Sequence, residues 1–209
     1  MGARDRERRP ARRAHERNVR PVILVVTEGE KTEPDYLRGL IRACRNPRVR
    51  VTVSGEHGVP RTLVEHARDL KNSAEREARK NEDDNLAYDE VWCVFDVDEH
   101  PRLDEARTMA ADNGIELAVS NPCFEFWLVL HRRESPGCRE RSAMQELLGR
   151  LIGKKGKGVD FEDYRSGYGD AVRRARLLDE RAREDGEAGR CPSTGVYRLT
   201  ESIRGDGTV

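Results

Sequence analysis

Carboxylates stand at the ends of two hydrophobic runs, and they are the residues of this chain whose types and spacing could do chemistry. Glu28 and Glu30 follow Val22-Ile23-Leu24-Val25-Val26-Thr27. Asp96, Asp98 and Glu99, with His100 beside them, follow Val91-Trp92-Cys93-Val94-Phe95. Carboxylates gathered in one place repel and resist ionising unless a cation joins them. Oxygen ligands suit a hard divalent ion, so Mg²⁺ (or Mn²⁺) is the expected cofactor. Such an ion polarises phosphoryl oxygens and lowers the pKa of bound water, which brings phosphodiester hydrolysis within reach.

Each of these residues has a plainer reading beside the chemical one. Asp96-Val97-Asp98 has i, i+2 spacing, which puts both side chains on one face of a strand, yet DxD also occurs in ordinary acidic loops. Glu28 is a metal ligand or a turn residue before a helix. Glu125, inside Phe124-Glu125-Phe126-Trp127-Leu128, is a paired or metal-bound carboxylate or the wet side of an amphipathic helix. His131 ends that helix, where a His is favourable by dipole alone, and reads as structural. Lys31 and His100 are candidate phosphate contacts or solvated loop residues. Thr32 reads as a helix cap rather than a ligand.

The elements that must position these groups follow a β-α-β-α-β-α-β order, expected to build a mainly parallel four-stranded sheet flanked by helices. Residues 22 to 26 read as a central strand, and a helix is expected from about 33 to 44, stopped by Asn46-Pro47. Val49-Arg50-Val51-Thr52-Val53 alternates as a second strand. A charged helix over about 60 to 80 carries Leu63, Val64, Ala67 and Leu70 as its apolar stripe. Strands are expected at about 90 to 95 and 115 to 119, with a helix between them ended by Asn113-Gly114. Pro122 introduces a short buried helix. Beyond residue 135 the pattern is helical and charged, and Pro192-Ser193-Thr194 is expected to open a last helix through Ile203. In such a sheet ligands bind outside the carboxyl ends of the strands, and the first and third strands would be neighbours in a doubly wound order.

Composition sets the bounds. The chain has 209 residues, 37% of them charged, with no formal net charge. Residues 1 to 20 hold eight Arg against Asp5, Glu7 and Glu16. They are read as a disordered basic arm, either a solvated tail or a nucleic-acid contact. Residues 21 to 134 would form the α/β core and 135 to 209 a helical extension packed on it. No run approaches the ~20 apolar residues of a membrane span, and no leader peptide is expected. The five Cys (44, 93, 123, 138 and 191) are scattered without CxxC spacing. That argues against a zinc site or a disulfide framework, makes Cys93 and Cys123 core residues, and fits a reduced cytoplasm.

A Glu after the first strand and a DxD after a later one resemble the Toprim domain of topoisomerases, bacterial primases and overcoming-lysogenization-defect nucleases. Three segments resemble the RloB family more closely: Thr27-Glu28-Gly29-Glu30-Lys31-Thr32-Glu33-Pro34, Phe95-Asp96-Val97-Asp98-Glu99-His100, and Ser120-Asn121-Pro122-Cys123-Phe124-Glu125-Phe126-Trp127-Leu128. Cys191-Pro192-Ser193-Thr194 is similar to that family's C-terminal segment, so the resemblance spans about residues 20 to 204. It implies a Toprim-like fold and a divalent-metal nuclease acting on RNA, tRNA included, or on DNA. It also implies a link to restriction-modification loci and phage defence. The catalytic metal would be held by Glu28, Asp96 and Asp98. A second ion would draw on Glu33, Ser120 or Glu125, with Glu125 the first choice. Lys31, His100, Lys154, Lys155, Lys157 and the basic arm would contact phosphates. A defence-system partner protein and a homodimer stay open. The chain departs from larger Toprim nucleases in having no GxxxxGK[ST] loop and so no ATPase of its own. The alternative is a non-catalytic sensor of a nucleotide or nucleic acid. A nucleotide-sugar transferase and an aspartyl phosphatase fit less well, the latter because its DxD should follow the first strand.

Overall fold

Strand β1 (Ile23–Thr27) is buried along its whole length. A strand covered on both faces needs apolar side chains on both, so its sequence runs continuously rather than alternating. The structure is a computed structural model describing residues 20–54, 60–97, 103–153 and 158–205. In it β1 lies between β2 (Val49–Val53) and β3 (Glu90–Asp96), and β4 (Glu116–Asn121) pairs with β3, all parallel. A fifth strand, β5 (Ser193–Thr194), runs antiparallel on the β4 edge, giving the order β2-β1-β3-β4-β5. The expected four-stranded sheet is thus corrected to five strands. Two polar residues carry no hydrophobic periodicity, so β5 left no mark in the sequence pattern. Pro192-Ser193-Thr194 leads into this strand, and the last helix starts only at Val196.

The two faces of the sheet fill separately. Ile23 and Val25 join Tyr36, Leu37 and Leu40 of α1 (Thr32–Cys44) in one apolar cluster. Leu24 and Val26 join Leu63, Val64 and Ala67 of α2 (Pro60–Asn81) in another, with Leu70 packed against it. The expected α2 stripe is therefore the face that packs. Ala106 and Ala110 place α3 (Leu103–Asp112) on the α2 side. The α1 side also takes α4 (Phe124–Leu130), α5 (Arg141–Ile152), α6 (Glu162–Arg165), α7 (Tyr168–Glu184) and α8 (Val196–Arg204). The result is an α/β fold with helices on both faces of a mostly parallel sheet.

His131 is a pin at the centre of the larger cluster. It is 4% exposed. Its Nδ1 lies 2.8 Å from the Tyr164 carbonyl and its Nε2 3.1 Å from the Tyr36 hydroxyl. A carbonyl can only accept, so Nδ1 carries the proton and the Tyr36 hydroxyl donates to Nε2. Tyr36, Trp127, Tyr164 and Tyr168 surround the ring in edge-on or tilted contacts. Gly167 passes so close that a Cβ there would lie 2.0 Å from the His131 carbonyl oxygen. The structural reading of His131 holds.

Three local expectations change. Asp35 N–H donates to the Lys31 carbonyl, so Lys31 is the N-cap of α1. Thr32 is then the first helical residue and not the cap. Residues 1–19 of the basic arm lie outside the described residues, and Arg20 is held by the Cys44 and Arg45 carbonyls. Cys138 and Cys191 form a disulfide with Cα atoms 5.2 Å apart, although 53 positions separate them in sequence. Scattered spacing cannot reveal which two cysteines a fold brings together, so the cysteine pattern carries no argument about compartment. Cys44, Cys93 and Cys123 are free and buried. Among the described residues no helix is long and apolar enough to cross a membrane.

Candidate functional site

In the order β2-β1-β3-β4 the chain goes one way from β1 and returns past it to β3. The connecting helices α1 and α2 therefore lie on opposite faces, and a crevice opens between the carboxyl ends of β1 and β3. Glu28 is the first residue beyond β1, fixed by its N–H to the Val94 carbonyl at 3.0 Å. Asp96 is the last residue of β3. The crevice is a pocket of about 450 Å³ lined by Glu28, Lys31, Glu33, Asp96, Glu125 and Arg141 together with the Gly29–Glu30 turn and Thr32.

The carboxylates reach it from separate elements. Asp96 is 8% exposed and pairs with the Arg141 guanidinium, Nη2 to Oδ2 2.8 Å. Glu33, in the first turn of α1, is equally buried. Burial raises its pKa first of all, and the nearby Glu125 and Glu28 carboxylates raise it further, against its own backbone N–H and Arg141. Its carboxylate folds back over Gly29, where a Cβ would lie 2.0 Å from Oε2. Glu125 is the one residue of α4 that is not buried. It turns into the pocket and accepts from Gln145 Nε2 at 3.0 Å. The wet side of α4 is thus a wall of the pocket. Lys31 is exposed at the rim.

Of the candidate residues, the fold brings Glu28, Lys31, Asp96 and Glu125 to one place, with Glu33 between them. Ser120 sits next to Asp96 in the sheet register, but its hydroxyl is buried against Thr194 Oγ1 at 2.9 Å. Asp98, His100, Lys154, Lys155 and Lys157 lie outside the described residues. Arg141 and Gln145 were not legible as site residues. They sit on a charged stretch where nothing separates them from solvated neighbours.

Among the described residues no group of three or more His, Cys, Asp or Glu is disposed to hold a metal ion. The donor chemistry nevertheless suits one. Among the described residues, four carboxylates, with Glu30 a fifth in the turn, line the pocket with one guanidinium and one ammonium. The raised Glu33 pKa comes first from burial, with the Glu125 and Glu28 carboxylates adding to it. Oxygen donors of this kind select Mg²⁺, Ca²⁺ or Mn²⁺ over softer ions.

A family model described as RloB-like protein matches residues 23–203. No curated protein and no solved structure matches the chain.

Proposed function

Since that match covers most of its length, the chain belongs to the RloB-like family, and from this premise we propose that it is a divalent-metal-dependent nuclease with a Toprim-like core. One observation carries the reading. Glu28, Glu33, Asp96 and Glu125 converge from β1, α1, β3 and α4 on the crevice where a doubly wound sheet binds its ligand. Glu28, Asp96, Asp98 and Glu125 would hold one or two Mg²⁺ (or Mn²⁺) ions. A bound ion of this kind supplies Lewis acidity and an acidified water. Lys31 at the rim neutralises and orients a substrate phosphate. If Glu28 stays off the metal, it is instead the group that takes the proton of the attacking water. The attack breaks one P–O bond, leaving a phosphate monoester on one fragment and a hydroxyl on the other. Lys154, Lys155, Lys157, His100 and the arginine-rich arm would add backbone contacts that weaken with salt. Anti-phage defence, and a cytoplasmic setting for it, are part of the same proposal.

A non-catalytic sensor is the second reading, favoured by the Arg141–Asp96 pair, which sets a protein cation against a carboxylate that a metal would need. Incubation with Mg²⁺ or Mn²⁺ and a panel of tRNA, single-stranded RNA, single-stranded DNA and plasmid decides between them. The Asp96→Ala/Asp98→Ala double variant runs alongside. Metal-dependent cutting lost in the variant is the expected result. Binding of nucleic acid or nucleotide with no turnover of any substrate would favour the sensor, and cutting undiminished in the variant would sink the assignment of the site.

A further inference from the structure

A second cavity, of about 440 Å³, adjoins the carboxylate pocket and shares Lys31, Thr32 and Glu125 with it. Its chemistry is different. Leu148 and Ile152 of α5, Val159 and Tyr164 make its far wall apolar, and the Gln145 amide stands beside Glu125 at the junction. A recess of this size, mostly apolar with a few polar groups, is the usual form of a small-molecule or cofactor-sized site. In a chain with 37% charged residues, an apolar recess opening beside a phosphate-directed pocket calls for an occupant.

Gly149 belongs to the wall of the same cavity. It lies within α5, ahead of the true C-cap, Gly153, which has the left-handed φ of 65°. Glycine inside a helix is less stable than Ala by ~0.5–1 kcal/mol. No close packing demands it here, because a Cβ built at Gly149 meets nothing within 4 Å. A side chain at this position would instead project into the cavity that Gly149 lines. A bulky side chain on this face of α5, shared with Gln145, Leu148 and Ile152, would take up part of the recess.

We propose that the recess receives one unpaired nucleobase of the strand whose backbone crosses the carboxylate pocket. The proposal rests on the phosphodiester reading of that pocket. A nucleobase is flat and apolar on its faces, which suits the aliphatic wall, and polar at its edge, which suits the Gln145 amide. Lys31 and Thr32, common to both cavities, stand where the attached phosphate would lie. A base stacked inside a duplex cannot enter such a recess, so the substrate class is single-stranded nucleic acid, or a nucleotide in a loop or flipped from its stack.

The test is equilibrium binding of short fluorescein-labelled RNA and DNA strands by anisotropy, with Ca²⁺ present as the divalent ion and the strands checked for cutting after each titration. Each is offered single-stranded, as a duplex, and as an abasic backbone of the same length. Wild type is compared with Gly149→Trp, which plugs the recess, and with Glu146→Trp, an exposed position of α5 outside it. The single strand is expected to bind roughly tenfold or more tighter than the duplex or abasic forms, and Gly149→Trp to lose a similar factor. Glu146→Trp should bind as wild type does. The RNA and DNA arms identify which sugar the site accepts. Should Gly149→Trp not fold, Gly149→Leu is read in the same way. Abasic strands bound as tightly as complete ones, or a folded plug variant with undiminished affinity, would overturn the recess while leaving the metal-dependent cleavage assay untouched. Failure of every strand to bind would overturn the phosphodiester reading, and the recess with it.

Discussion

Arg141, the first residue of α5, sets its guanidinium 2.8 Å from the carboxylate of Asp96, the last residue of β3. Two elements 45 positions apart in sequence meet in this pair. Asp96 is nearly buried and the Arg141 side chain is 44% exposed. Water therefore screens the bond on one side only. A divalent ion entering the pocket and Arg141 would compete for the same carboxylate.

Arg141→Ala is accordingly expected to lower metal-free stability by about 1 kcal/mol, the range of a half-exposed pair. It should also shift the Mn²⁺ midpoint of a thermal-shift titration to lower concentration. An unchanged midpoint would show that the ion and Arg141 do not share Asp96.

Gly29→Ala must displace the Glu33 carboxylate, since the new Cβ and Oε2 cannot both stay where they are. The displaced group is the end of a flexible side chain, so melting should change by no more than roughly 2–4 °C, the equivalent of about 1 kcal/mol. Mg²⁺ affinity by calorimetry is expected to fall. Loss of the fold instead would mean that the turn itself needs glycine.

His131 makes stability fall with acid. Burial, and then Arg132 and Arg174 nearby, push its pKa down to about 4 from 6.5, against the Tyr164 carbonyl. The folded state holds the ring neutral while the unfolded chain protonates near 6.5. The stabilisation is thus complete above pH 6.5 and is lost as pH falls from 6.5 toward 4. At ~1.4 kcal/mol per unit the loss reaches about 3 kcal/mol. Urea unfolding across that window should show the slope in wild type and a flatter one in His131→Gln, which starts from a lower stability at neutral pH. Parallel slopes would remove His131 from the account.

Gly167→Ala brings a methyl onto the His131 carbonyl, and backbone on both sides leaves little room to yield. Overpacking of this kind costs roughly 1–3 kcal/mol. For a chain of this size that is about 3–10 °C in melting temperature, measurable by calorimetry. Gly149→Ala, at an open helical position, should raise the melting temperature instead.

The Cys138–Cys191 bond closes a loop spanning 53 positions. In the chain-entropy model such a loop contributes roughly 4 kcal/mol. Reductant, or Cys138→Ser, should lower the denaturant midpoint with the fold retained. A midpoint indifferent to reductant would mean that the bond does not form in solution.

The sequence by itself determined four of the five strands, β1 to β4. The apolar runs before Glu28 and before Asp96 read as buried strands, which placed those carboxylates at strand ends. Alternation and helical spacing likewise marked β2 and the Leu63-Val64-Ala67 face of α2, because burial imposes those periods directly on the chain. The tertiary structure decided what has no local period. Arg141 and Gln145 lie on a charged helix and differ from their neighbours only in what they meet across the fold. Glu33 is buried because α1 folds its carboxylate back against Gly29, not because its surroundings in sequence are apolar. Ser193–Thr194 is a strand only because β4 offers it an edge, and Cys138 finds Cys191 only when α5 and β5 are both in place. Periodicity is written along the chain by the solvent boundary, whereas pairing between distant residues exists only once the chain has closed on itself.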